Sequence, residues 1–116
     1  DYFDDDIYLE LMKNQNVSYD EDILNCYLDS LDMENEEAWL AYLKEKANSF
    51  GYCTINKEYK AHPEAYKGNF GAFMGNIRVF VTGKSVSQNL YYVGNIIGKD
   101  NLQKRFQKAL AIIKEK

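Results

Sequence analysis

Residue types that commonly carry out covalent chemistry are scarce in this chain, which has one histidine, His62, and two cysteines, Cys26 and Cys53. A thiolate next to a base is a nucleophile, and the β-prone segment at Cys53 precedes a turn at His62 and Pro63. A small enzyme that uses Cys53 and His62 is therefore one open alternative. The simpler interpretation is a packed thiol and a turn histidine, so we expect no catalytic residue.

Metal and cofactor motifs are not recognisable either. The spacing of the cysteines and the histidine fits no zinc site. The acidic run Asp4 to Asp6 lacks the spacing of a calcium-binding loop, and the glycine-rich segment 68–75 lacks the Lys and Ser or Thr that end a P-loop. We therefore predict neither a metal nor a cofactor.

Charge is distributed unevenly along the chain. Residues 1–50 contain 14 Asp and Glu but three Lys, whereas residues 51–116 contain 11 Lys and Arg but four acids. An acidic surface attracts a basic partner. The leading prediction is a non-catalytic protein–protein interaction or regulatory domain that binds a basic protein surface, including an inhibitor that occupies a nucleic-acid-binding site. The residues predicted to form this acidic face are Asp20, Asp22, Asp29, Glu36 and Glu37.

The basic second half supports a different hypothesis, that of a nucleic-acid-binding domain. Cations around the start of the last predicted helix suit phosphate contacts, and neighbouring tyrosines suit base stacking. The residues that this alternative requires are Lys99, Lys104, Arg105, Lys108, Tyr91 and Tyr92.

The two charged halves could also face each other, within one molecule or across a dimer. In that case the asymmetry is structural and says nothing about partners. The sequence leaves this alternative open, and it does not indicate an oligomeric state.

The pattern of apolar residues predicts an α+β fold. Three N-terminal helices pack with a small antiparallel sheet of two or three strands, and an amphipathic C-terminal helix completes the core. Helical spacing and capping residues place helices at 5–14, 19–31 and 36–50, with Ser18 as the cap of the second, and a last helix after Asp100. Alternation and β-prone residues favour strands at 52–59, 77–82 and 90–97.

The segment 90–97 also fits a helix, since Leu90, Val93 and Ile97 recur at helical spacing. It would then pair with the last helix across Gly98, an arrangement similar to a helix-turn-helix. That outcome would favour the nucleic-acid alternative.

The segment Glu36 to Leu43, which reads EEAWLAYL, resembles a helix of the half-a-TPR type, in which Trp and Tyr mark the packing face. The resemblance covers only the second and third predicted helices, and it implies no function. The short break at residues 32–35 separately predicts that these two helices pair as a hairpin.

The length of 116 residues predicts one domain, with an acidic helical part at 1–50 and a basic part at 51–116. Two cysteines within apolar patterns favour a reducing, cytoplasmic location, and we expect no membrane partner. The residues predicted to form the core are Ile23, Tyr27, Leu28, Trp39, Leu43, Val79, Val81, Phe106 and Leu110.

Overall fold

Polar caps and apolar stripes divide the chain mainly into helices. The computed structural model describes residues 4–15, 20–84, 87 and 89–115, and these ranges contain seven α-helices and two short strands. A 3₁₀ turn lies at Pro63–Ala65. The elements are α1 (Asp5–Lys13), α2 (Glu21–Ser30), α3 (Glu36–Ser49), β1 (Tyr52–Cys53), α4 (Asn56–Ala61), β2 (Gly68–Asn69), α5 (Phe70–Thr82), α6 (Leu90–Ile97) and α7 (Lys99–Lys114).

The first three helices begin where a polar side chain caps the backbone. The Asp4 side chain accepts a hydrogen bond from the backbone N–H of Ile7 at 3.1 Å, and Asn35 accepts one from Ala38 at 2.9 Å. Asp20 caps α2 in the same way. These bonds satisfy amides that have no partner within the helix. The three N-terminal helices are therefore confirmed, although the predicted cap Ser18 lies outside the described residues.

The predicted strand at 77–82 is wrong, because these residues form the second half of α5. Asn69 caps this helix through the Ala72 amide at 2.9 Å, and Gly83 ends it in the left-handed conformation with φ +76°. The helix is buried on several sides, so the polar stripe that identifies a surface helix is missing. In the absence of that stripe, the β-branched residues of the segment led to the prediction of a strand.

The antiparallel sheet is also corrected. Residues 90–97 form α6, and only Tyr52 and Cys53 of the segment 52–59 are extended. β1 pairs with β2 in parallel, with Tyr52 opposite Gly68 and Cys53 opposite Asn69. The described part of the chain is thus an α-rich fold with a two-residue parallel ladder.

The core lies between α2, α5 and α7. The Tyr27 and Phe106 ring centroids are 6.4 Å apart, and Phe80 meets Phe106 edge to face at 6.5 Å. The predicted core residues are buried, except for Leu110, which is half-buried. No helix among the described residues is both long enough and apolar enough to cross a membrane.

Gly94 brings α6 close to α2. A Cβ atom at this position would overlap the Tyr27 hydroxyl and lie 3.0 Å from Leu31 Cδ2. We expect Gly94→Ala to lower the free energy of unfolding by about 2 kcal/mol, measured by urea denaturation, because the two helices must separate. Gly75→Ala is the matched control, since nothing lies within 4 Å of its added Cβ. That variant should gain about 0.5–1 kcal/mol, and equal effects of the two substitutions would contradict the packing described here.

Candidate nucleic-acid interface

The helix pair α6–α7 matches the arrangement that the sequence associated with nucleic-acid binding. Asn89 caps α6 by accepting the Tyr91 amide at 2.7 Å. Gly98, with φ +92°, is the one residue between α6 and α7. A positive φ is accessible to glycine at little cost, so the chain turns sharply there. The two helices therefore present adjacent surfaces.

One face of α6 is exposed and partly apolar. Tyr92, Asn95 and Ile96 follow the i, i+3, i+4 spacing of one helix face, and we call these three residues the α6 patch. Tyr92 is 57% exposed and Ile96 is 70% exposed. Exposed apolar groups of this size often mark an interaction site, and an exposed tyrosine ring can stack on a nucleobase.

Buried contacts hold the helix that carries the α6 patch. The Tyr27 hydroxyl donates a hydrogen bond to the Leu90 carbonyl at 2.8 Å in the buried core. The Trp39 ring packs on Tyr91, and Tyr91 packs on Tyr92, with centroid distances of 5.5 Å in both pairs. A series of rings thus connects the buried Trp39 to the exposed Tyr92. This support restricts the Tyr92 ring before any ligand arrives.

Two lysines provide positive charge on α7, the helix that follows α6. Lys104 and Lys108 are exposed and lie four residues apart on one helix face. Neither forms an ion pair or hydrogen bond within the part of the chain that the structure describes. A hollow of about 370 Å³ lies where α6 and α7 meet the start of α1, and it is lined by Asp5, Ile96, Ile97, Asn101 and Arg105. Ile96 of the α6 patch and Asn101 of α7 therefore border a common concave surface.

Lys99 is already engaged by acids of the first half. Its Nζ lies 2.6 Å from Asp32 Oδ2 and 3.8 Å from Asp29 Oδ1. The hydrogen bond with Asp32, together with the charges of the neighbouring carboxylates, raises the pKa of Lys99. Part of its charge is therefore neutralised by the protein.

Arg105 occupies a structural position. The residue is 4% exposed, and its guanidinium donates to the Val81 carbonyl at 2.8 Å and to Asp5 Oδ1 at 2.7 Å. It also lies 4.4 Å from the centre of the Tyr8 ring. The guanidinium satisfies a carbonyl in the last turn of α5 and links α7 to α1. Lys104 and Lys108, by contrast, are exposed to solvent.

The five predicted acidic residues do not form one free surface. Asp20 caps α2, Asp29 faces Lys99, and Glu36 accepts a hydrogen bond from Asn89 Nδ2 at 2.8 Å. Asp22 and Glu37 are exposed in the first turns of α2 and α3.

Several acids of the first half pair with cations of the second half. Besides the Lys99 contacts, Lys114 Nζ lies 2.9 Å from Glu21 Oε1, and Arg105 binds Asp5. Part of the charge asymmetry is therefore neutralised within the molecule. This is the result expected if the two charged halves face each other.

Cys53 and His62 do not form a catalytic pair. Cys53 is 3% exposed, and its thiol donates to the Ile55 carbonyl at 3.3 Å. His62 is exposed, and its Nδ1 lies 4.0 Å from Glu64. Both cysteines are free. Among the described residues, no three His, Cys, Asp or Glu side chains converge on a possible metal position.

The sequence interpretation missed Ile96 and Asn101. Both become neighbours only because α6 is helical and α7 follows it after one residue. The signal was present as the helical spacing of Tyr92, Asn95 and Ile96, and as the capping residue Asn89 before them.

Comparison with known proteins finds a family model and several relatives that match this chain. A family model described as "anticodon binding domain" matches residues 6–110. The chain is 34% identical to a glutamate–tRNA ligase of Clostridium beijerinckii, over 96% of its own length and 22% of the relative's. It is 30% identical to the glutamate–tRNA ligase of Clostridium perfringens strain SM101, over 96% of this chain and 22% of that protein.

A third relative, the glutamate–tRNA ligase of Acetivibrio thermocellus, is 33% identical over 76% of this chain and 16% of its own length. The chain thus spans about a fifth of the length of the relatives that it matches. No solved structure gives a significant match.

These matches overturn the leading prediction. A regulatory or inhibitory domain that uses an acidic face on a basic protein partner is contradicted by a family of anticodon binding domains. The nucleic-acid alternative agrees better with the matches, and the helical form of residues 90–97 is the outcome that favoured it. Because the family model covers nearly the whole length, from residue 6 to residue 110, this chain belongs to the anticodon binding domain family.

Proposed function

We propose that this chain binds a tRNA at its anticodon loop and that it does so as one segment of a glutamate–tRNA ligase. The observation that carries the proposal is the family match over residues 6–110, together with relatives named glutamate–tRNA ligase. The catalytic activity of those ligases is assigned to the whole protein, and we propose a binding role without catalysis for this segment. A cytoplasmic location is part of the same proposal.

The α6 patch is the proposed contact for loop bases. Bases in an RNA loop are unstacked and accessible, and they are recognised by stacking on aromatic rings and by hydrogen bonds to their edges. Tyr92 offers an exposed ring, and Ile96 extends the apolar surface next to it. Asn95 and Asn101 add amide groups that can bond to base edges. Their own Nδ2 groups donate to backbone carbonyls of α6, which orients both amides.

Lys104 and Lys108 are the proposed phosphate contacts. Their side chains are exposed on α7, and α7 follows α6 after one residue. Lys99 adds a weaker contribution, since Asp32 and Asp29 hold its charge. Tyr91 acts indirectly by supporting Tyr92. We assign Arg105 no contact with RNA, because its guanidinium is buried against Val81 and Asp5.

This surface implies modest affinity for the isolated segment. The chain carries a formal net charge of −4, so long-range attraction of RNA is weak. Two free lysines neutralise few phosphates, and each phosphate contact in a single-stranded region contributes a salt slope of about −0.7. We therefore expect a dissociation constant of micromolar order or weaker, with a shallow dependence on salt.

A loop-swap titration tests the proposal. The single tryptophan, Trp39, lies beneath Tyr91 and reports on the α6 patch through its fluorescence. The chain is titrated at about 50 mM salt with an anticodon stem-loop of a glutamate tRNA, and with the same stem carrying a different loop. Since each wrong base costs about 1–3 kcal/mol, the matched loop should bind at least about tenfold more tightly. Equal affinity for both loops, or no binding of either, would contradict the proposal.

A further inference from the structure

Glu36 connects the start of α3 to the start of α6. Its Oε2 accepts a hydrogen bond from Asn89 Nδ2 at 2.8 Å, across 53 residues of sequence. The other end of the same amide, Asn89 Oδ1, accepts the Tyr91 N–H at 2.7 Å. The carboxylate therefore orients the side chain that caps α6. An amide held at both ends cannot rotate without breaking one of the two bonds.

The same carboxylate lies beside Tyr92. Hydrogen bonding to Glu36, followed by the negative charge of Glu36, raises the pKa of the Tyr92 hydroxyl. The ring is additionally in contact with Tyr91 at a centroid distance of 5.5 Å and an interplanar angle of 72°. Tyr92 is thus held by its ring contact with Tyr91 and by its place in the capped first turn of α6, although more than half of its surface is exposed.

A carboxylate at this place has an electrostatic cost in an RNA-binding surface, since it repels phosphates. Its contacts show what offsets that cost: they fix the first turn of α6, from which Tyr92 projects. A side chain that is ordered before binding loses less conformational entropy when a ligand arrives.

We infer that Glu36 is a positioning residue, which acts through Asn89 and Tyr92 to hold the Tyr92 ring ready to stack on a base. The inference rests on the proposed function, since it assigns Glu36 a role in RNA binding at the α6 patch. It assigns Glu36 no contact with RNA. The sequence interpretation had placed Glu36 on an acidic surface for a basic partner, whereas its bonds lie within the molecule.

A double-mutant cycle tests whether Glu36 acts through Tyr92. Glu36→Ala should weaken binding of the anticodon stem-loop about fivefold, because one immobilised side chain is worth about 1 kcal/mol. In the Tyr92→Ala background the same change should have less than a twofold effect, since the ring that it positions is gone. Glu36→Gln keeps an acceptor for Asn89 and should restore most of the affinity.

Glu37→Ala is the matched control for charge. Glu37 is the next residue and is exposed, so its removal subtracts the same negative charge near RNA without touching Asn89. All effects of Glu36 are therefore expressed relative to Glu37→Ala. Equal losses from Glu36→Ala in both backgrounds, or no loss relative to Glu37→Ala, would overturn the inference.

A second measurement needs no RNA. Amide hydrogen exchange of Tyr91 should accelerate about tenfold in Glu36→Ala, because its cap loses orientation, and should stay slow in Glu36→Gln. The pKa of Tyr92 should fall in both variants. Unchanged exchange in Glu36→Ala overturns the positioning role even when RNA binds. Failure of the wild-type chain to bind RNA instead overturns the proposed function, and the exchange result still decides whether Glu36 orders α6.

Discussion

The double variant Lys104→Glu with Lys108→Glu should bind the anticodon stem-loop about 30- to 100-fold more weakly at about 50 mM salt. Lys104 and Lys108 are exposed on α7 and bond to no described residue, so their charge is available to phosphates. The double variant Lys104→Glu with Lys108→Glu removes two attractive contacts and introduces two repulsive ones. Filter binding or fluorescence titration over a series of salt concentrations measures the change.

The salt slope distinguishes this effect from a general loss of positive charge. Removing two phosphate contacts should reduce the slope of log K against log salt by about 1–2. Lys57→Glu with Lys60→Glu is the matched control, because both residues are exposed on α4, which packs on β1 and β2. This control should lose less than about threefold in affinity, since its charges lie away from the proposed contact. Equal losses in the two double variants would contradict the assignment of phosphate contacts to α7.

Arg105→Ala should lower the free energy of unfolding by about 3 kcal/mol, measured by urea denaturation. The substitution removes the donor to the Val81 carbonyl and both bonds to Asp5, and it leaves space over the Tyr8 ring. Arg105→Lys should recover only part of the loss, because an ammonium group cannot reproduce the forked geometry of guanidinium.

Lys104→Ala is the control for this stability effect. It changes the neighbouring exposed residue on the same helix and should cost less than about 0.5 kcal/mol. The two substitutions should therefore have different effects. Arg105→Ala should lower stability, whereas Lys104→Ala should lower the affinity for RNA. An Arg105→Ala chain of normal stability that fails to bind RNA would return Arg105 to the binding surface, where the sequence interpretation had placed it.

The helices α1 to α3 could be predicted because each has a cap and one apolar stripe. Asp4 and Asn35 are recognisable capping residues, and Trp39 and Leu43 recur on a single face. These elements lie at the surface, so the periodicity of their apolar residues reports their structure directly.

The helices α5 and α6 could not be predicted in the same way. Ile77, Val79 and Val81 alternate like a strand, yet all three are buried within α5 because the helix is surrounded by the core. Burial on several sides removes the polar positions that would have revealed the helical period. The ends of α5 did indicate a helix, because Asn69 is its N-terminal cap and Gly83 its C-terminal cap. Tertiary packing outweighed the local preference of β-branched residues.

The proposed RNA contacts on α6 and α7 include residues that the sequence had already selected, but the burial of the others could not be foreseen. Lys104, Lys108 and Tyr92 were identified from charge and aromatic character, and the structure places them on the adjacent helices α6 and α7. Arg105 could not be distinguished from its lysine neighbours, because its burial depends on where α1 and α5 lie. Glu36 was assigned to the wrong kind of surface for the same reason, since its partner Asn89 is far away in sequence.

Mapping the bound RNA onto the chain by nuclear magnetic resonance tests whether α6 and α7 form the contact surface. The ¹⁵N-labelled chain is titrated with the anticodon stem-loop, and the backbone amide shifts are followed residue by residue. We expect the largest changes at Tyr92, Asn95 and Ile96 of α6 and at Asn101, Lys104 and Lys108 of α7. Changes concentrated instead on α4, or on the exposed acidic turns of α2 and α3, would contradict it.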